Sequence, residues 1–223
     1  MFNAIARRYD LGNCLLSLGL DRRWRRKAVA MLRPRDSGRY LDVGCGTGDV
    51  ALEILRQCPG AAVVGIDRSE EMLAVGRQKV AAAGLGGAIE LRLGDAMELD
   101  FPADAFDGAI SAFCIRNVER RARAFAEMGR AVAPGGPVVV MEVSQPACPV
   151  VRAGHWLYIH TAVPLVGRLV ARSGPSYRYL VASIEYFPRP DEVLAAMEEG
   201  GLRDAGHVGL LAGTAVVFHA IAP

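Results

Sequence analysis

The chain has 223 residues, 52% hydrophobic and 22% charged, with a formal net charge of +2. That composition supports a real core and excludes a disordered tail or a disulfide-stapled miniature; the apolar stretch from Trp156 to Val170, broken by His160, Pro164 and Arg168, is too short to span a bilayer. Residues 1–40 carry ten Lys/Arg against three Asp/Glu and the remainder sixteen against twenty-one, so a segment of +7 precedes a body of −5.

Residues 1–37 read as helical with polar breaks, closed by the Pro34 and Gly38 region. Within them the run Arg22-Arg23-Trp24-Arg25-Arg26-Lys27 suits a solvated helix face or a surface for anionic lipid or nucleic acid. Arg39 to Val43 predicts a strand, Gly44 to Gly48 a turn, and Asp49 to Gln57 a helix; Ala61 to Ile66 predicts a second strand, and Ser69 caps the helix that follows. Strands at Ile89 to Leu93, Phe106 to Ala112 and Val138 to Val143 alternate with a helix at Ala122 to Val132, which implies a parallel, doubly wound α/β sheet. A hairpin of Gly206 to Leu211 and Thr214 to Ile221 finishes it. The expectation is one domain over 1–223: an N-terminal helical segment (1–37), a nucleotide-binding core (38–145), a helical insertion over the acceptor site (146–188), and a C-terminal helix and hairpin (189–223). The N-terminus lacks a secretion signal, and the five cysteines form no CxxC pair, so a cytoplasmic setting with reduced thiols and no metal is expected.

The turn Asp42-Val43-Gly44-Cys45-Gly46-Thr47-Gly48 lies between a strand and a helix, where glycines let backbone approach a ligand. A dinucleotide fingerprint wants a third glycine at position 49, which is Asp. A carboxylate there repels a pyrophosphate but suits a ligand with a sulfonium and an ammonium, S-adenosylmethionine. Asp67 ends the second strand, placed for two ribose hydroxyls, and Asp95 with Ala96 follows the third, placed for an adenine ring. After the fourth strand Ala112-Phe113-Cys114-Ile115-Arg116-Asn117 replaces the Pro-Pro-aromatic motif of base-amino methylation, which argues against a nucleic-acid substrate.

The chain resembles the ubiquinone/menaquinone biosynthesis C-methyltransferases over nearly its whole length. The resemblance rests on Met1-Phe2 with Tyr9-Asp10, Asn13 and Trp24; Gly46-Thr47-Gly48-Asp49; Arg116-Asn117; Pro134-Gly135-Gly136 with Glu142-Val143-Ser144; and Ser176-Tyr177-Arg178-Tyr179-Leu180. It implies the Rossmann-like, mostly parallel seven-stranded sheet of class I S-adenosylmethionine-dependent methyltransferases, and C-methylation of a prenylated hydroquinone such as demethylmenaquinol. Another phenolic acceptor, or a non-catalytic donor-binding subunit of a quinone-synthesis complex, are the alternatives. The donor site is expected at Asp42, Gly44, Gly46, Thr47, Gly48, Asp67, Arg68, Met72, Asp95, Ala96, Ser111 and Ala112.

Ring methylation needs a base, a cation that lowers a phenol pKa of about 10, or both. Arg116 is the candidate cation, with Asn117 orienting it; Tyr177 is a candidate base beside His160, Tyr179 and a water held by Asp95. Tyr9, Phe113, His160 and Tyr179 are expected at the acceptor, and Trp156, Tyr158, Val163, Leu165, Val166 and Leu169 along its prenyl tail. Peripheral contact of the basic segment with an anionic membrane, and a homodimer, complete the expectations.

Overall fold

The computed structural model describes residues 6–166 and 174–223, and side chains from Asp10 to Pro164 and from Tyr179 onward. Two helices lead, α1 (Ala6–Leu16) and α2 (Asp21–Leu32). Then β1 (Arg39–Val43), α3 (Asp49–Gln57), β2 (Ala62–Asp67), α4 (Glu70–Ala82) and β3 (Ile89–Leu93) alternate. Next come β4 (Gly108–Ala112), a 3-10 turn at Ile115–Asn117, α5 (Arg121–Ala131) and β5 (Pro137–Val143). After them lie α6 (Pro149–Val166), α7 (Gly174–Glu185), α8 (Pro190–Glu199), β6 (Arg203–Leu210) and β7 (Ala215–Ile221).

The seven strands form one sheet in the order β3-β2-β1-β4-β5-β7-β6, parallel except for β7, which runs antiparallel to both of its neighbours. The period-2 pattern of the strands divides the core. Leu41, Val43, Val138 and Val140 face α5 and α8 with Phe125, Met128, Val193 and Met197, while Tyr40, Val63, Val139 and Met141 face α2, α3 and α4 with Leu32, Ile54 and Leu73. The expected strand from Phe106 starts only at Gly108, because the Asp107 carboxylate turns back to accept the Arg39 N–H at 2.8 Å, leaving Phe106 a single bridge to Val132. The Ser69 cap forms as expected, its hydroxyl accepting the Met72 N–H at 3.2 Å.

The described residues of the insertion are mainly helical, in α6 and α7. Ile159 and Val163 of α6 pack on Val181 and Ile184 of α7, with Leu16 of α1 and Val143 of β5 against them, so it forms a small third core above the end of the sheet. The chain order reverses between β1, which leads outward to β2, and β4, which leads the other way to β5. Ligands of such sheets bind in the crevice beyond the strand ends at this switch point.

Candidate active site

Two turns face each other across that crevice. Gly44, Gly46 and Gly48 after β1 have φ of +72°, +52° and +78°, a path side chains rarely follow. A Cβ on Gly44 would lie 2.2 Å from Cys114 Sγ in the turn after β4, so only glycine lets the turns meet. Burial pushes the Cys114 thiol up to about 12, and it stays protonated. Directly before it in the chain, Phe113 takes a positive φ of 57°.

A cavity of 440 Å³ opens beside these turns. It gathers the expected Gly44, Gly46, Asp67, Arg68, Met72, Asp95, Ala96, Ala112, Phe113, Asn117 and Tyr179, and adds Glu119. Asp67 is set by two backbone amides: Gly46 N–H donates to Oδ2 and Ser69 N–H to Oδ1, each at 2.9 Å, while burial raises its pKa. Asp95 accepts the Met97 N–H at 2.9 Å, and the Tyr179 hydroxyl donates to Asn117 Oδ1 at 3.1 Å. Among the described lining residues three carboxylates oppose the single cation Arg68. That balance favours a cationic ligand over a phosphate.

Four residues expected at the donor lie behind this wall instead. The Ser111 hydroxyl is buried and donates to Val43 O at 2.7 Å. Thr47 is buried, its hydroxyl donating to Asp10 Oδ1 at 2.6 Å and accepting from Lys79 Nζ at 3.2 Å. Gly48 caps α3 and packs toward Leu91. Asp42 is fully buried with neither oxygen in a well-formed hydrogen bond; burial, helped by Asp67 and opposed by Arg25, pushes it up to about 8.

A second cavity, of 530 Å³, meets the first at Phe113. Its wall is mainly apolar: Leu16, Leu18, Leu20 and Trp24 from the N-terminal helices, Tyr158, Ile159 and Val163 from α6, and Leu180 and Ile184 from α7. Arg116 enters this cavity, tied to Glu142 of β5 twice, through Nη1 at 2.7 Å and its backbone N–H at 3.1 Å. The pair is buried, with side chains 5% and 0% exposed. Glu142 stands out in sequence as an acid inside an apolar strand, yet nothing there shows its partner.

His160 does not reach this cavity. Its Nδ1 lies 2.9 Å from Trp156 O, its Nε2 3.3 Å from Glu185 Oε1, and its ring stacks on Trp156, which is itself 54% exposed rather than lining the channel. The α6 surface in the cavity carries Val151, His155, Tyr158, Ile159 and Val163, and five residues of helix turn His160 about 140° away from His155. Of the other expected acceptor residues, the side chains of Tyr9, Tyr177, Leu165, Val166 and Leu169 lie outside the described ones.

The N-terminal helices are fastened to the glycine loop by charge. Asp10 of α1 pairs with Lys79 of α4 at 2.8 Å; Lys79 also bonds Asp49, and Asp49 pairs with Arg25 of α2 at 3.2 Å. The basic run on α2 is therefore not one solvated face: Trp24 lines the cavity and Arg25 turns inward, while Arg22, Arg23, Arg26 and Lys27 stay exposed.

The sheet order, the single antiparallel strand and the loop after β1 define a Rossmann-like methyltransferase fold. A solved S-adenosylmethionine-dependent methyltransferase from Aquifex aeolicus shares that fold, with a TM-score of 0.63 at 18% identity, covering 89% of each chain. The chain belongs to the ubiE/COQ5 methyltransferase family, whose model matches residues 1–222. It is 43% identical over 219 residues to the ubiquinone/menaquinone biosynthesis C-methyltransferase UbiE of Geobacter sulfurreducens, covering 98% of this chain and 85% of that one. To the demethylmenaquinone methyltransferase of Roseiflexus castenholzii it is 40% identical over 212 residues, covering 94% and 87%.

Two outcomes follow from the buried charges. Between about pH 4, where an unfolded Asp ionises, and pH 8, the folded chain holds a proton on Asp42 that the unfolded chain has lost, so stability falls as pH rises through this window. Asp42→Asn removes that contribution: melting of the ligand-free protein is expected to match wild type at acid pH and exceed it near pH 8. Arg116→Gln leaves the Glu142 carboxylate buried without a cation and is expected to cost about 3–5 kcal/mol in denaturant unfolding, most of it regained in Arg116→Gln with Glu142→Gln.

Proposed function

We propose that this chain transfers the methyl group of S-adenosylmethionine to a ring carbon of a reduced, prenylated quinone, with demethylmenaquinol going to menaquinol. The observation that carries the reading is the meeting at Phe113 of an acidic cavity with an apolar one, since the reaction joins a cationic donor to a greasy acceptor. The names of the UbiE and demethylmenaquinone methyltransferase relatives support the same chemistry.

When bound, S-adenosylmethionine supplies an electrophilic methyl on a sulfonium. Asp67, whose oxygens are aimed by Gly46 and Ser69, would take the ribose hydroxyls, and Asp95 with Ala96 would take the adenine. Asn117, held by Tyr179, lines the acidic cavity. Arg116 brings a permanent cation to the acceptor wall, where it favours the phenolate. Its charge is already balanced by Glu142, so it weakly lowers a phenol pKa and chiefly fixes geometry.

A polyprenyl substrate partitions into lipid at about 0.8 kcal/mol per buried methylene, so the enzyme must collect it at a bilayer. No helix among the described residues is long and apolar enough to cross a membrane. Leu18, 78% exposed in the turn between α1 and α2, lines the apolar cavity and lies four residues before Arg22, the first exposed cation of α2. An opening flanked by an exposed leucine and basic side chains suits a surface contact with anionic lipid.

Methyl transfer from labelled S-adenosylmethionine is expected on demethylmenaquinol under reducing conditions; label on soluble phenols alone sinks the reading. In cosedimentation, binding to phosphatidylglycerol vesicles that weakens as salt rises is expected, and equal binding to phosphatidylcholine at every salt concentration removes the membrane contact.

A further inference from the structure

Among the described residues, three of the four titratable groups lining the apolar cavity are committed to partners. Asp21 accepts from Ser17 Oγ at 2.8 Å and pairs with Arg25 at 3.3 Å. Arg116 holds Glu142, and the Tyr158 hydroxyl donates to Leu16 O at 2.9 Å. His155 lines the same wall, and among the described residues no hydrogen bond, ion pair or ring contact engages its imidazole.

We propose that His155 is the general base of the methyl transfer, accepting the phenolic proton of an aromatic acceptor held at Phe113, an inference that rests on the aromatic C-methylation read above. The O–H bond breaks, its proton passes to an imidazole nitrogen and its electron pair enters the ring. The activated ring carbon forms the new C–C bond as the methyl leaves sulfur. That carbon then gives its own hydrogen to water while the oxygen recovers a proton from the imidazolium, so each turnover releases one proton and restores His155.

The surroundings suit the task. Burial holds the His155 imidazole below its ordinary value, so at neutral pH it is unprotonated and keeps one nitrogen as an acceptor. Among the described residues, the groups facing the cavity from each element leave little net field. The N-terminal helices bring Asp21 with its partner Arg25, the turn after β4 brings Arg116 with its partner Glu142, and α6 brings neutral Tyr158. Helix α7 gives Leu180 and Ile184, and the turn before β7 gives Leu211, Ala212 and Thr214.

The test combines kinetics with a readout that needs no methyl transfer. In His155→Gln and His155→Phe, kcat/KM for the quinol is expected to fall by about 10²–10⁴-fold. The acid limb of the wild-type pH profile, lying below the ordinary histidine range, is expected to vanish, while calorimetric affinity for S-adenosylmethionine reports an intact fold. Turnover at the wild-type level, or an unaltered acid limb, overturns the proposal. In the protein loaded with S-adenosylhomocysteine, 15N spectra of the four histidines, assigned by the His155→Gln difference, are expected to show the His155 resonance alone shifting when 1-naphthol is added. An unshifted His155 overturns the proposal. A chain inert toward quinols whose His155 answers naphthol removes the substrate reading and keeps the base.

Discussion

The contact on which this site depends is the one between Gly44 and Cys114. Two turns from neighbouring strands, β1 and β4, approach so closely that a single added carbon would collide with the thiol. Because the chain reverses its sheet order there, the contact stands at the crevice where such sheets bind ligands. It also sets Phe113, one residue before Cys114, with a positive φ, and Phe113 lines both cavities. The acidic and the apolar cavity thus share a wall placed by this backbone contact.

Charge then ties the remaining parts to that frame. Asp10, Lys79, Asp49, Arg25 and Asp21 link α1, α4, the start of α3, and α2 in one chain of ion pairs. Because Thr47 of the glycine loop bonds to Asp10, the N-terminal helices that wall the apolar cavity are anchored to the loop that walls the acidic one. The +7 of the N-terminal segment is in this way partly spent inside the molecule. Of the run on α2, Arg22, Arg23, Arg26 and Lys27 remain at the surface, one cation fewer than the sequence suggests.

Which features could be read from sequence follows from how local their causes are. The strands at Arg39 and Ile89, the Ser69 cap and the glycine turn are written in short-range patterns, and the structure has them at or within a residue of those places. Asp67, Asp95 and Ala96 were legible because strand ends in an alternating sheet all point to the same crevice. The placement of Ser111 was not, since a one-residue step along a strand moves a side chain to the other face, and Ser111 points back to Val43 rather than into the cavity. The insertion was hardest. Its helix α6 is apolar nearly all round, so periodicity does not say which histidine faces inward, and only packing against α1 and α7 selects His155 over His160.

The same packing explains why a histidine suits the proposed role of base in the apolar cavity. Burying an unpaired charge is costly, and this chain meets that cost by giving Asp21 an arginine and Arg116 a glutamate before either reaches the cavity. Ions so compensated make poor bases and weak electrostatic catalysts, because their charge is already answered. A neutral imidazole carries no such debt: it can be left without a partner in an apolar wall at modest expense, and its free lone pair is then available to the substrate. An apolar cavity of this kind therefore favours a histidine over a carboxylate as a group that takes up a proton.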